Sequence, residues 1–419
     1  MNRLLGIGLC LLLAGATGAA AQPRPATDYA ALYDRLTATV AENFYDPTLY
    51  GVDWKAAAAR HRPRAAAARS DAEFLQAGRA LLGEIKSSHL DLRAPTGTVT
   101  GGTGIGARLV AIDGVQTVTE VVEVSDAHRR GLRPGDQILN EAAVNGARGS
   151  TADLRVRGCD GKVRSLSVRR ETVFWPPVQP SFRWRVIDGG SGRKVGYLRI
   201  DAFEDDGAPL ADRAMADMAK TDALIIDVRA NSGGNASALR LASYFTREAA
   251  PAVILLARPY LAALGRPLTP TDALRAPRVD GAYTSDKVFE AISGNGGGAA
   301  LWTEDLGEKR YTRPVYVLQG EETASAAEGF TWVMRLSTRA VIVGRPSAGA
   351  LLSAERFDLG QGWSMRIPTA GIWAPDGENY GDRSVPAHVE VKWSRADLCA
   401  GRDADVVKAL EMIEGDGGR

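Results

Sequence analysis

Between Val315 and Met334 the chain changes its period within a few residues. The apolar run VYVL at Val315 to Leu318 leads into EETASAAE at Glu321 to Glu328, and helical spacing follows at Ala327, Phe330 and Met334. A strand that turns sharply into a helix sets the first helical residues over unsatisfied backbone N–H groups, at the positive end of the helix dipole. Ser325 stands at this junction and has two readings. With Glu328 three residues later it forms a capping box, which satisfies backbone donors and needs no chemistry. Equally, this is a position where a serine hydroxyl can become a nucleophile.

The strand-then-helix pattern also runs upstream. Val195 to Ile200 (VGYLRI) reads as a strand and Ala208 to Lys220 as a helix. The apolar strand Ala223 to Val228 then ends in Arg229-Ala230-Asn231-Ser232-Gly233-Gly234-Asn235, and the helix Ala236 to Phe245 leads to a third strand at Ala252 to Leu256. Strands that alternate with helices and are apolar on both faces predict a buried parallel sheet with its loops gathered at one edge. Sites on such sheets lie at the carboxyl ends of the strands, where the Gly233 turn and the turn before Ser325 are both expected. The glycine pair also reads as a plain tight turn. No Gly-Lys-Ser/Thr follows it and its spacing is not a dinucleotide fingerprint, which argues against phosphate.

Hydrolysis by a serine needs a base, a group that orients the base, and donors for the tetrahedral oxyanion. The N–H groups of Gly233 and Ala326 are the candidate donors.

A length of 419 residues allows two or three domains, each with its own core. Met1 to Ala21 carries one Arg, an apolar run from Leu4 to Ala14 and the small residues Ala19-Ala20-Ala21, and reads as a signal peptide cleaved after Ala21. It is too short to span a membrane and remain there. Cys10 lies within its apolar run. Basic residues number 51 and acidic residues 50, so losing this segment leaves the mature chain near neutral, and neither nucleic acid nor an anionic membrane is suggested as a partner. Export to the periplasm or beyond leaves Cys159 and Cys399 in an oxidising compartment where they could pair.

Thr27 to Leu90 is expected to be helical. Leu32, Leu36, Val40 and Phe44 recur at i+4, and Ser70 with Glu73 caps a second pattern of Phe74, Leu81, Leu82 and Ile85. A strand begins within Ser87-Ser88-His89-Leu90-Asp91-Leu92. None of the spacings among His61, His89, His128 and His388 suits a metal, and no cofactor is implied.

From Gly101 to Arg170 the texture becomes short β-like runs between glycine turns. This segment resembles a PDZ domain, through Gly104-Ile105-Gly106 at the carboxylate-binding loop and Gly131-Leu132-Arg133-Pro134-Gly135-Asp136 before the strand Gln137 to Leu139. Such domains add a peptide as an extra strand and hold its terminal carboxylate on backbone N–H groups. Trp175-Pro176-Pro177 marks a linker. Ala257 to Tyr311 is long and weakly patterned, with Gly294 to Gly298 inside it, and reads as a lid or binding loop. The tail runs through a short helix near Val406 to Ile413 and then frays.

VGYLRIDAF (Val195 to Phe203), ALIIDVRANSGGNASALRLASYF (Ala223 to Phe245), PVYVLQGEETASAAEGF (Pro314 to Phe330) and AVIVGRPSAGA (Ala340 to Ala350) together resemble the tail-specific, or C-terminal processing, serine peptidases. The resemblance implies an α/β fold, with a crotonase/ClpP-like peptidase core, an N-terminal helical unit and an intervening PDZ domain. It divides the chain into a signal peptide (1–21), helical unit (22–95), PDZ-like domain (99–171), core (172–398) and tail (399–419). Polypeptides are the implied substrates, Ser325 the nucleophile, and Gly233 and Ala326 the oxyanion donors.

Members with a serine and lysine dyad carry the lysine where this chain reads Ser347-Ala348-Gly349-Ala350. What remains is similar to the tricorn-core and interphotoreceptor retinoid-binding branch, in which a histidine replaces the lysine. That likeness implies Ser325 attacking, His89 as base, and Ser88 with Glu378 orienting and charging the imidazole. His388, in Val385-Pro386-Ala387-His388, is the reserve base. The rival readings are a binding protein of the same fold holding an apolar ligand or peptide, and a PDZ-centred adaptor.

Overall fold

The alternation of buried side chains decides how the layers stack. In the computed structural model, which describes residues 27–95, 104–171 and 180–416, the strand Ala223–Asp227 is buried along its whole length and therefore needs cover on both faces. It lies within a six-stranded sheet ordered Val389–Glu390, Val341–Gly344, Val315–Gln319, Ala223–Asp227, Lys194–Ile200 and Phe182–Asp188. All neighbours are parallel except the last pair. On one face Leu224, Ile226, Val317 and Ile342 pack against the helices Gly207–Met218, Ala238–Ser243 and Ala326–Ser337. On the other, Ile225, Tyr316, Leu318 and Val343 meet Ala409 and Ile413 of the helix Ala404–Asp416.

A second six-stranded sheet closes the far side of the helix layer, in the order Asp91–Arg93, Trp363–Trp373, Pro251–Ala257, Gly298–Trp302 and Arg278–Val279, with Ser353–Gly360 also paired to Trp363–Trp373. Its strands run antiparallel except where 278–279 lies beside 298–302. Leu255, Ala299 and Ile372 face the helix layer. Ile254, Leu256, Ala300, Met365 and Ile367 face the helices Tyr29–Asn43, Trp54–Ala66 and Asp71–Leu82. The N-terminal helices thus cover the mixed sheet and the C-terminal helix covers the parallel one.

Local chemistry starts these helices, at Ser70 where the sequence predicts and at two aspartates besides. The side chains of Asp28, Asp53 and Ser70 accept N–H bonds from Ala31, Ala56 and Glu73 at 3.0, 3.0 and 3.2 Å, each cap being worth about 1 kcal/mol.

Three expectations are corrected. Ala252 to Leu256 is a strand, but it belongs to the second sheet and runs antiparallel to its neighbours, because an apolar run reads alike in either sheet and only its distant partner at Trp363–Trp373 decides. Residues 257–311 are not a bare loop. They form the helices Arg258–Leu264, Pro270–Ala273 and Ser285–Gly294 and the strand Gly298–Trp302, elements too short to show a clear period. The tail helix is longer than expected, Ala404–Asp416, and its Asp405 is buried and bonded twice by Arg345, at 2.9 Å each, while the stretch expected to fray after it lies outside the described residues. The expected signal peptide and the Trp175-Pro176-Pro177 linker lie outside the described residues.

Residues 104–171 carry a separate five-stranded antiparallel sheet around Val118, Leu132, Ile138, Leu154 and Val168. A disulfide joins its Cys159 to Cys399, 240 residues later in the chain. Arg395 adds bonds to the Gly135 and Gly158 carbonyls at 3.0 and 2.7 Å.

Candidate active site

The strand Val315–Gln319 delivers its turn to the helix Ala326–Ser337 through a tightly stitched loop. Thr323 Oγ1 donates to the Val228 carbonyl at 2.9 Å and accepts from the Gly320 N–H at 3.0 Å, while the Ala324 N–H donates to the Asn231 carbonyl at 3.1 Å. The two turns that the sequence placed at the carboxyl edge are thereby bonded to each other. Ser325 follows at φ 53° and ψ −124°, a conformation that costs a residue with a Cβ about 1–3 kcal/mol.

Glu328 holds that strain in place. Its carboxylate accepts the Ser325 N–H at 3.1 Å, as a capping box requires, but it is fully buried and does more. Ser347 Oγ and the N–H groups of Gly349 and Ala350 also donate to it, at 2.5, 2.7 and 2.8 Å. Burial pushes its pKa up, and those four donors act in the opposite direction by favouring the ionised form. The Ser325 N–H is shared with the Ala350 carbonyl at 3.0 Å. The Ser347 to Ala350 turn, which lacks the lysine of dyad enzymes, here braces the serine.

Gly233 packs directly on Ser325: a Cβ built there would fall 2.6 Å from the Ser325 Cβ, and φ is +115°. Its N–H, expected to be an oxyanion donor, is instead given to Asn231 Oδ1 at 2.8 Å. The reason is local, since Asn231 is fully buried and its carbonyl oxygen sits two residues back along the same turn. The N–H of Ala326 meets no acceptor among the described residues.

His89 sits at φ 61°, just before the strand Asp91–Arg93. Its Nδ1 lies 3.1 Å from Ser88 Oγ. The Ser88 N–H donates to Asp382 Oδ1 at 2.8 Å, and Asp382 Oδ2 accepts from Tyr50 Oη at 2.8 Å. Burial, and then the Arg366 guanidinium, hold the imidazole pKa below its ordinary value, with Asp382 opposing. Ser325 and His89 are linked through short backbone steps. Ser325 bonds to Ala350, the next residue Leu351 donates to the Gly381 carbonyl at 2.6 Å, and Asp382 follows Gly381. Among the described residues no hydrogen bond joins Ser325 directly to His89.

Glu378 is not brought to His89. It is exposed on a turn, where its N–H donates to Asp376 Oδ1 at 3.0 Å and its carbonyl accepts from Ala374 at 3.0 Å. The extra residues Asp382-Arg383-Ser384 carry the chain back to Ser88 and put Asp382 there instead. A carboxylate four residues beyond Glu378 was the available signal. His388 is held away from the site, its Nδ1 accepting from the Ile342 N–H at 3.0 Å and its own N–H donating to the Ile342 carbonyl at 2.8 Å. Gly104-Ile105-Gly106 leads into the edge strand Ala107–Ile112 of the five-stranded sheet, with Ile105 buried.

Ser325 and Ala326 open onto a cavity of about 290 Å³. Leu239, Val253, Leu255, Leu301 and Phe330 form apolar walls, and Val288 and Phe289 of the helix Ser285–Gly294 complete them. Among the described residues no cluster suits a metal ion, and no helix is long and apolar enough to cross a membrane.

A strained serine at the end of a parallel strand, backed by a helix N-terminus and facing an apolar cavity, is the architecture of a serine hydrolase. Comparison with known proteins narrows the class. Residues 194–391 match the model of peptidase family S41, and residues 25–79 match that of the tricorn protease C1 domain. A putative tricorn protease homolog 2 from Streptomyces coelicolor is 27% identical over 433 residues, covering 93% of this chain but 33% of that protein. A carboxyl-terminal-processing protease from Picosynechococcus is 25% identical over 298 residues, covering 65% of this chain and 60% of that one. The solved structure of mature CPAF shares the fold, with a TM-score of 0.64 at 16% identity over 92% of this chain and 98% of that one. Residues 194–391 are thus the part of this chain that carries the peptidase family S41 match, a family whose members are serine-type peptidases, and the fold agrees. It spans between one third and about three fifths of the length of these two curated relatives.

Proposed function

We propose that this chain is an exported serine endopeptidase that hydrolyses polypeptides, with Ser325 as nucleophile and His89 as base. Ser88 orients the imidazole, and Asp382, rather than Glu378, supplies the carboxylate behind it. The observation that carries this reading is the strained Ser325 at the cavity mouth, braced by Glu328, with the Ala326 N–H uncommitted beside it. A substrate carbonyl placed there meets one ready donor. Gly233 supplies the second once its N–H leaves Asn231 Oδ1 for the oxyanion. Closure of Ser325 onto His89 accompanies substrate binding, in keeping with catalytic hydrogen bonds that tighten only in the complex.

Residues 99–171 serve in this reading as a PDZ-like unit that binds a chain terminus or gates the site. Its edge strand Ala107–Ile112 is open to an added strand, and Arg108 on that strand pairs with Glu322, three residues before Ser325. The Cys159–Cys399 disulfide supports export to an oxidising compartment, in agreement with the signal-like Met1 to Ala21. A second reading, a catalytically weak binder of an apolar ligand or peptide, is favoured by the Gly233 N–H being occupied and by the absence of a direct Ser325–His89 bond.

Degradation of an unfolded protein decides between them. His89→Ala is expected to slow it by at least about 100-fold, the usual contribution of a positioned base. Asp382→Asn should slow it less, and Glu378→Gln by no more than about twofold, exposed surface changes being near neutral. If Glu378→Gln is the slower of the two carboxylate variants, the assignment to Asp382 is wrong. Full activity in His89→Ala defeats the mechanism, and no activity in the parent favours the binder.

The same reading places an apolar side chain, on the acyl side of the cut, in the cavity. Gly329 lies one turn beyond Ser325 and lines that cavity, and a Cβ there would sit 3.6 Å from both Leu351 Cδ1 and Val253 Cγ2, ordinary contact distances. Gly329→Ala is therefore expected to narrow the cavity with little strain. The ratio of kcat/KM for cutting after Phe to that after Ala should fall by about 10- to 100-fold, the scale on which pockets discriminate by size. An unchanged ratio would show that the cavity does not receive that side chain.

A further inference from the structure

Arg366 lies in the strand Trp363–Trp373 between Met365 and Ile367, which are buried against the N-terminal helices. Side chains alternate along a strand, so Arg366 points to the opposite face, where it lines the cavity that contains Ser325. The guanidinium is partly buried and makes no hydrogen bond or ion pair among the described residues, the Asp91 carboxylate acting on it only from beyond contact distance. Its cross-strand neighbours are bonded elsewhere. Asp91 gives its carboxylate to Arg79 and Arg93, and Arg356 bonds to Ser364.

The contrast with other arginines withdrawn from water is informative. Arg229, Arg240 and Arg345 each meet at least two carboxylates. Withdrawing a cation from water without a partner costs free energy, and an apolar residue between Met365 and Ile367 would line the cavity without that cost. A guanidinium presents a planar fork matched to a carboxylate.

Its position says which part of a substrate it would meet. Arg366 is in register with Asp91, two residues after His89. In the serine peptidase reading on which this inference rests, the imidazole passes its proton to the leaving amine, so groups beside it face the residues that follow the cut. We propose that Arg366 binds a substrate carboxylate on the leaving-group side, so that bonds followed closely by an acidic side chain or by the chain's own terminal carboxylate are cut preferentially. Burial and the neighbouring Arg93 lower the guanidinium pKa, Asp91 opposes them in part, and an incoming carboxylate adds to that opposition.

Peptides matched in sequence test this in two arms. One compares a free carboxyl terminus with its amide. The other compares Asp with Asn just after the cut, with an amidated end. The parent is expected to favour the carboxylate member of at least one pair by about tenfold or more, chiefly through KM, as a charge-assisted bond implies. The arm that responds names the source. Arg366→Gln should abolish the preference and Arg366→Lys should retain part of it. Equal rates within both pairs for the parent, or a preference that survives in Arg366→Gln, would overturn the proposal.

Binding of the same peptides to Ser325→Ala, followed by fluorescence anisotropy, separates this inference from the reading beneath it. A carboxylate preference in binding that vanishes in Ser325→Ala/Arg366→Gln upholds Arg366 even if the parent proves to hydrolyse nothing. Hydrolysis by the parent without any carboxylate preference upholds the peptidase and removes the role of Arg366.

Discussion

Ser325→Ala is expected to lower the rate of hydrolysis of an unfolded protein by at least about 1,000-fold, leaving only the assistance of bound oxyanion donors. The loss should fall on kcat, since the cavity walls that bind substrate are untouched. Stability should change little, because alanine still carries a Cβ at φ 53° and keeps the N–H bonds to Ala350 and Glu328. Ser325→Gly is the sharper companion. It should be equally inactive, yet more stable than Ser325→Ala by about 1 kcal/mol, because glycine adopts this conformation without the Cβ penalty. Chemical denaturation of the two inactive variants reads that difference. Equal stabilities would mean that Ser325 is not held under strain, and undiminished hydrolysis in either variant would remove it from the mechanism.

Glu328→Ala is expected to be the most damaging substitution to the site that touches neither serine nor histidine. Ser347 Oγ and the N–H groups of Ser325, Gly349 and Ala350 all lose their common acceptor in a place closed to water. A cost of about 3–5 kcal/mol follows from leaving buried donors unpaired, and activity should fall by at least about 100-fold because the turn that braces Ser325 comes loose. Glu328→Gln preserves shape but turns an amide donor toward N–H groups, so it should lie between parent and alanine in both respects. Urea unfolding and the protein-degradation assay check the two effects separately. A Glu328→Ala protein as stable as the parent would show that the Ser347 to Ala350 turn finds other acceptors.

Much of this arrangement is legible in the residues, and the parts that are not share a cause. The strands at 195–200, 223–228 and 315–318 announce themselves because a buried parallel strand is apolar throughout. Ser325 and its turn stand out because the period switches abruptly there. What depends on distant partners does not show. The strand at 252–256 looks like another member of the parallel sheet until its neighbour more than a hundred residues later is known. Glu378 looks equivalent to a carboxylate of related sequences, and only the folded path of Asp382-Arg383-Ser384 shows which acid reaches Ser88. Gly233 is legible as the close neighbour of Ser325, whereas the direction of its N–H is a matter of one peptide plane and one asparagine amide. The capping box at Ser325 and Glu328 is a different case, because the carboxylate that caps also braces the nucleophile's turn.

The link from Cys159 to Cys399 bears on how the molecule is made. Synthesis proceeds from the amino terminus, so the five-stranded sheet at 104–171 emerges from the ribosome long before its sulfur partner exists. Cys159 lacks this partner until residue 399 has been added. The embrace between the early sheet and the helices around Cys399 is then a late event, sealed only where an oxidant reaches a chain already extended past that cysteine.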